Sequence, residues 1–325
     1  MVDEVPARCV IGVDLGGTKL LAGAVDPARL TVHHRTRRVI LGLDQTALVE
    51  AVVDAVQEAA DAAGGTVDAV GFGIPCTFDR RRGVAVQAVN LPLADLHFAD
   101  LMSERLGLPV EVDNDANCAV WAEARAGAAR GASDVALLTI GTGIGGGLVL
   151  GGRLYRGWVG AGAELGHMVV DMDGPPCQGN CPNRGCLEAV ASGTALVREA
   201  ALRAARAPDT PLGRALEGGR ELTGPLVTEL AFDGDPVAAA AVRVIGERLG
   251  VGIANLVNIF NPEVVLIGGG VIAAGELLLE PARAVMRERA LAPARDEVRV
   301  AATAFGAESG MIGAALLAAD PKAAG

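Results

Sequence analysis

The amino-acid sequence predicts an α/β protein, and three observations carry that expectation. Short strand-like apolar runs alternate with longer segments of helical period along the whole chain. Hydrophobic residues make up 51% of the 325 residues and aromatics only 3%, so the core must be built from Ala, Val, Leu and Ile, which suits helices packed on parallel strands. Glycine clusters follow strand-like runs at Gly16-Gly17, at residues 141–147 and at Gly268-Gly269-Gly270.

In order along the chain, residues 9–14 predict a strand that runs into the Gly16-Gly17 turn, and 20–25 a second strand. Helical spacing covers 46–63, and 67–74 is a buried strand. Residues 96–106 predict a helix, 110–113 a strand and the Ala-rich 116–128 a helix. A strand over 135–140 leads into the glycine run, and 148–150 and 153–155 flank Gly151-Gly152 as a hairpin. Helices follow over 188–205 and 237–257, then a strand over 264–267 that ends in Gly268. A helix over 276–290, a strand over 298–302 and a helix over 307–318 complete the chain. A strand, a Gly-rich turn and a second strand occur at 10–25 and again at 135–150. Two related halves would explain this, each offering a loop of phosphate size; chance likeness of two hairpins is the alternative.

The formal net charge of −11 argues against nucleic acid and anionic lipid as partners. The first residues, Met1-Val2-Asp3-Glu4-Val5, lack the basic and apolar regions of a signal peptide. The apolar run at 251–271 is interrupted by Asn255, Asn258, Asn261 and Glu263, so no membrane span is expected. The expectation is a soluble, cytoplasmic protein. Cys9, Cys76 and Cys118 are scattered in apolar surroundings, as small buried thiols are. Cys177, Cys181 and Cys186 cluster, which in a cytosolic chain suggests metal more than disulfide.

The segment Gly12-Val13-Asp14-Leu15-Gly16-Gly17-Thr18-Lys19 nearly matches a P-loop, but Thr18 precedes Lys19 and a strand follows instead of a helix. Gly141-x-Gly143-x-x-Gly146 fits the dinucleotide fingerprint only weakly, because a hairpin follows it. A hairpin turn of glycines can still converge backbone N–H groups on phosphate. Asp14 beside such a turn suits a hydrated Mg²⁺ ion, and Thr18 can donate to phosphate. A turn-capping role is the alternative for Asp14.

Six motifs in one order, Asp14-Leu15-Gly16-Gly17-Thr18-Lys19, Asn114-Asp115-Ala116-Asn117, the run at 141–147, Glu164-Leu165-Gly166-His167, the cysteine cluster and Gly268-Gly269-Gly270, resemble the ROK family of repressors, open reading frames and kinases. The bacterial glucokinase branch is the most similar, and the likeness covers residue 10 to about 317. The resemblance implies an actin-like/hexokinase-like (ribonuclease H-like) ATPase fold of two α/β domains with an interdomain cleft. The small domain would be 1–115 with the C-terminal helix at about 303–325, and the large domain 116–302. The implied activity is ATP-dependent phosphorylation of a hexose, glucose first. N-acetylglucosamine, N-acetylmannosamine, fructose, mannose and allose are alternatives that these motifs do not separate, and polyphosphate is an alternative donor. Asp14, Gly16, Gly17, Thr18, Lys19, Gly141, Thr142 and Gly143 would hold ATP phosphates and Mg²⁺, and Gly268, Gly269 and Gly270 the adenosine part.

Transfer to a hydroxyl needs a proton acceptor. Asp115 is the best candidate, since it follows a strand and heads a helix; helix N-capping is its alternative role. By resemblance Asp115 takes the sugar proton, and Asn90, Asn114, Glu164, His167 and Glu188 match sugar-contacting positions. Where the family often has Gly after the Gly-x-Pro of its sugar wall, Gly73-Ile74-Pro75 is followed here by Cys76 and Thr77. His167, Cys177, Cys181 and Cys186 supply a closed Cys₃His set, as structural Zn²⁺ prefers. The family spacing is C-x-C-x₄-C, whereas this chain has C-x₃-C-x₄-C and Pro182 in place of the family's Gly. Homodimers or homotetramers are expected by the same likeness. ROK repressors carry a DNA-binding segment ahead of the first strand, where this sequence has only Met1–Arg8. A non-catalytic sugar-binding regulator is the remaining rival.

Overall fold

The computed structural model describes residues 8–79, 84–88 and 91–322. In chain order the first elements are β1 (Arg8–Leu15), β2 (Lys19–Asp26), β3 (Thr31–Val39), α1 (Gln45–Ala63), β4 (Thr66–Ile74), β5 (Cys76–Asp79), β6 (Val84–Ala88), β7 (Ala94–Leu96), α2 (Phe98–Leu106), β8 (Val110–Asn114) and α3 (Asp115–Arg125). Then come β9 (Val135–Ile140), β10 (Ile144–Leu150), β11 (Arg153–Leu154), α4 (Leu187–Ala191), α5 (Gly193–Ala204), α6 (Pro211–Glu217), α7 (Gly224–Phe232) and α8 (Pro236–Phe260). The last are β12 (Val264–Gly268), α9 (Glu276–Arg289), α10 (Ala294–Glu297), β13 (Arg299–Ala302) and α11 (Ser309–Ala319).

Two compact units divide the chain. The first takes the described parts of Met1–Ser133, Gly147–Ala163 and Ala304–Gly325; the second takes Asp134–Gly146 and Glu164–Thr303. This partition differs from a boundary at 115/116. Helix α3 stays with the first unit because it packs on α11. That approach is close: a Cβ on Gly313 of α11 would collide with the Cys118 carbonyl oxygen of α3.

The first unit is built on a sheet of order β3-β2-β1-β4-β8. Strands β1, β4 and β8 are parallel, and β2 and β3 extend the edge antiparallel. One face is covered by α1, whose residues Leu48, Val49, Val52, Val53, Val56 and Ala59 are buried at helical spacing. Asp44 starts α1 by accepting the Ala47 N–H at 2.8 Å, and Gly64, at φ 66°, ends it. Helix α11 packs against β1 and β4. Any Cβ on Gly12 or Gly71 would strike the carbonyl oxygens of Met311 or Ala314, so these two glycines let the helix backbone lie directly on the strands.

The second sheet has the order β11-β10-β9-β12-β13, with β9, β12 and β13 parallel. Counted in order of appearance, both sheets read 3-2-1-4-5, which supports the two-halves reading of the repeated strand–turn–strand. In the second unit α8 packs on α5, α7 and α9, and Gly246 and Gly250 bring it against the α9 backbone.

Two predicted helices differ in extent. Residues 188–205 break at Ser192, whose extended backbone (ψ 175°) and side chain cap a new helix through the Ala195 N–H at 3.3 Å. The helix predicted to 128 stops at Arg125, because the Glu123 carboxylate accepts the Ala128 N–H at 2.8 Å and competes with the helical bond.

Candidate active site

In the first unit the register places Asp14 opposite Gly73, and Gly73 opposite Asp113. These residues form one row at the carboxyl ends of three parallel strands, where open α/β sheets present their functional groups. The turn after β1 is closed by the Gly16 N–H donating to the Lys19 carbonyl at 2.9 Å, and Thr18 and Lys19 are exposed on it. Asp14 faces the start of α11: a Cβ on Gly310 would lie 2.8 Å from its Cγ. Desolvation, and then the charge of Asp115, push the Asp14 carboxyl up to about 7. A carboxylate held that high by lack of counter-charge is a ready ligand for a cation, which would remove the penalty.

Asp115 opens α3, but the capping role belongs to its neighbour. Asn114 Oδ1 accepts the N–H groups of Ala116 and Asn117 at 2.9 and 3.2 Å. Asp115 Oδ1 accepts the Ala116 N–H at 2.8 Å. The N-cap alternative for Asp115 is therefore filled by Asn114, whose amide NH₂ is the group left to serve a ligand.

Behind these residues lies an ion pair that sequence reasoning missed. The Arg156 Nε–H donates to Asp113 Oδ2 at 2.6 Å, with side-chain exposures of only 10% and 4%. Asp113 Oδ1 also accepts from Asn117 Nδ2 at 2.9 Å and from the Asn114 N–H at 2.8 Å. The signal available was the polar run Asp113-Asn114-Asp115 at the end of an apolar strand. Arg156 was invisible, being 43 residues away. Cys76 and Cys118 are buried thiols as expected: desolvation and nearby aspartates push Cys76 up to about 12 and raise Cys118 well above its usual range. Neither is a nucleophile near neutral pH.

In the second unit the glycine turn after β9 and the turn after β12 are neighbours, since Gly268 pairs with Thr139. Gly269, at φ 81°, has no room for a Cβ beside the Ile140 carbonyl. The turn at Gly141, Thr142 and Gly143 is closed by the Gly141 N–H donating to the Gly143 carbonyl at 2.9 Å. Glu188 Oε2 accepts the Ile144 N–H at 2.8 Å, and a Cβ on Gly143 would collide with that same oxygen. Glu188 thus lies against the glycine turn.

Glu164 precedes the short 3₁₀ turn Leu165–His167, and His167 is its last residue. Gly166 allows it to press on the Ile144 carbonyl. Desolvation raises the Glu164 pKa above the usual glutamate value; His167 opposes the shift and Glu188 adds to it. Asn90 lies outside the described residues. Of the other sugar-matching residues, Asn114 and Asp115 belong to the first unit, and Glu164, His167 and Glu188 to the second.

His167, Cys177, Cys181 and Cys186 come together with all ligand atoms within 4.8 Å of one another. Cys177 Sγ is 3.5 Å from His167 Nδ1, and Cys181 Sγ is 3.9 Å from Cys186 Sγ. Tetrahedral Zn²⁺ with ordinary bond lengths sets S···N at about 3.6 Å and S···S at about 3.8 Å, so the donor set fits zinc. Ligation through Nδ1 would leave Nε2 of His167 as a donor. The longer Cys177–Cys181 spacing is absorbed by a turn. The Cys181 N–H donates to the Gln178 carbonyl at 3.4 Å, and Gly179 takes φ 58°. Two isolated bridges, Val169–Cys186 and Pro176–Arg184, hold the loop closed.

Comparison with known proteins places this architecture. The ROK family profile matches residues 10–321. The glucokinase of Streptomyces coelicolor is 36% identical over 317 residues, covering 96% of this chain and 98% of its own. A crystal structure of a ROK family glucokinase from Streptomyces griseus, in complex with glucose and AMPPNP, superposes with a TM-score of 0.85. It is 38% identical and covers 96% of this chain and 99% of that one. A ROK family transcriptional regulator, a homologue of the E. coli MLC protein, gives a TM-score of 0.85 at 27% identity, over 96% of this chain and 78% of its own. The chain belongs to the ROK family, and its two-sheet α/β architecture is the hexokinase-like fold. No helix among the described residues is long and apolar enough to cross a membrane.

Proposed function

We propose that this protein is an ATP-dependent hexose kinase that converts glucose to glucose 6-phosphate. The observation that carries the reading is the near full-length relation to glucokinases, 36% identity over 96% of the chain, in a sequence that keeps Asp14, Thr18, Lys19 and Asp115 together.

Asp115 accepts the proton of the attacking sugar hydroxyl, O6 in glucose. Asn114, Glu164, His167 and Glu188, with Asn90, bind the remaining hydroxyls, each of which both donates and accepts. The turns at Gly16-Gly17-Thr18-Lys19 and Gly141-Thr142-Gly143 hold ATP phosphates through backbone N–H groups. Asp14 would hold Mg²⁺, which when bound would spread charge on the phosphoryl group. Gly268, Gly269 and Gly270 take the adenosine part. Zn²⁺ on His167, Cys177, Cys181 and Cys186 is architectural, because protein fills all four positions. The enzyme works in the cytoplasm as a homodimer or homotetramer, without nucleic acid; the net charge of −11 supports the last point.

The test is ADP release from Mg-ATP with a panel of hexoses and N-acetylhexosamines. Strong turnover with glucose is expected, reduced on the order of 10²–10⁴-fold in Asp115→Asn. Turnover with a different sugar alone would reassign the substrate. No sugar-stimulated ADP release from folded protein would end the kinase reading.

A further inference from the structure

The C-x₃-C spacing puts three residues, Gln178-Gly179-Asn180, where the C-x-C spacing has one. Gln178 is the first residue of the turn that absorbs the extra length, and its side chain is half-buried. Gln178 Nε2 donates to the Thr142 carbonyl at 3.3 Å and to Ser192 Oγ at 3.2 Å. The Thr142 carbonyl also accepts from Thr194 Oγ1 at 2.8 Å, and the Gly141 carbonyl accepts the Gly193 N–H at 2.8 Å. The Gly141 and Thr142 carbonyls of the glycine turn are therefore held from one side, by α5 and by the metal loop.

A trans peptide is planar, with its C=O and N–H pointing in opposite directions. Fixing the Gly141 carbonyl fixes the Thr142 N–H, and fixing the Thr142 carbonyl fixes the Gly143 N–H. These two N–H groups take no acceptor among the described residues, whereas the Gly141 and Ile144 N–H groups are consumed within the turn and by Glu188. The arrangement leaves two adjacent donors aimed away from their anchors, as an anion-binding turn requires.

We propose that Gln178 is a positioning residue for the nucleotide: from the metal loop it holds the Thr142–Gly143 peptide with its N–H toward the ATP phosphates. The inference rests on the glycine turn being the phosphate site, as in the proposed function. Its consequence is that the metal loop governs nucleotide affinity as well as sugar affinity. Glu188 works in the same direction, with Oε1 facing Cys177 Sγ at 3.6 Å and Oε2 on Ile144 N–H.

The experiment compares the full-length, zinc-loaded wild type with Gln178→Ala and Gln178→Glu. The second keeps the shape and removes the donor. Calorimetry with Mg-AMPPNP reads nucleotide binding, steady-state kinetics separates KM for ATP from KM for sugar, and hydrogen exchange of ligand-free protein reads the turn itself. Loss of one neutral hydrogen bond is expected to weaken AMPPNP and raise KM for ATP about 5-fold. Exchange at Gly141, whose N–H closes the turn on the Gly143 carbonyl, should quicken, with zinc content and KM for sugar unchanged. Wild-type affinity and exchange in both variants, with zinc retained, would overturn the proposal, as would a rise in sugar KM alone. If the wild type itself fails to bind Mg-AMPPNP, the phosphate assignment fails and this inference with it. Normal binding without an effect of Gln178 sinks this inference alone.

Discussion

Replacing Arg156 with Ala tests the buried ion pair behind the candidate base. The substitution removes the guanidinium 2.6 Å from Asp113 and leaves that carboxylate 4% exposed. Removing one partner of a buried pair typically costs about 3–5 kcal/mol, because the surviving charge is neither hydrated nor paired. Asp113 keeps hydrogen bonds from Asn117 Nδ2 and the Asn114 N–H, so the lower end, about 3 kcal/mol, applies. At roughly 2–4 °C per kcal/mol for a unit of this size, the first unit should melt about 6–12 °C lower. Scanning calorimetry reads this directly. Catalysis should fall too, since Asn114 and Asp115 follow Asp113 without a break and the β8–α3 junction is oriented by it. Arg156→Lys should recover only part of the loss, as Lys lacks the Nε–H geometry. A double replacement, Arg156→Met with Asp113→Asn, should recover part of the stability but not turnover, because the Asn oxygen can still accept from Asn117 Nδ2 and the Asn114 N–H. A melting shift under about 2 °C in Arg156→Ala would refute the reasoning, because it would mean Asp113 is already satisfied or hydrated without its partner.

Two further outcomes follow from the same groups. Asp14, raised to about 7 in the ligand-free protein, holds a proton that the unfolded chain has released, so this group lowers stability as pH rises from about 4 to about 7. Mg-nucleotide binding should displace that proton and strengthen by up to about tenfold per unit on raising the pH toward 7. Calorimetry in two buffers of different ionisation heat should show proton release that is absent in Asp14→Asn; equal release in both would refute it. Elemental analysis should find about one zinc per chain. Chelation should destabilise the second unit and raise KM for sugar, and Cys181→Ser with full activity and no metal would sink the architectural role.

Much of this was legible in the sequence because the strands carrying the motifs are buried on both faces and punctuated by glycine. Residues 9–14, 67–74, 135–140 and 264–267 are mainly apolar, and each lies within an observed strand. The edge strand β3 was not, since Thr31–Val39 is rich in His and Arg and mostly faces solvent. The small sheet of β5, β6 and β7 and the short helices α6 and α7 also lacked a long enough period. In the site, residues carried by local motifs were found, and residues that act through tertiary contact were not. Arg156 meets Asp113, and Gln178 meets Thr142, across 43 and 36 positions. No window of sequence shows such a meeting. The Asn114 cap was nearly readable: Asn114-Asp115-Ala116-Asn117 offers two capping candidates, and only the geometry says which oxygen takes the helix N–H groups.

The glycines under α11 bear on how the protein is made. The first unit needs that helix laid on β1 and β4, and Gly12 and Gly71 leave a groove that only its backbone fills. Those strands emerge from the ribosome early, whereas α11, starting at Ser309, arrives more than two hundred residues after β4 ends at Ile74, once the whole second unit has been synthesised. Contacts so distant in sequence form slowly, because a long chain segment must be closed before they give any return. Until then an apolar face of the nascent sheet stays uncovered, and the second unit is the one able to complete its own core first.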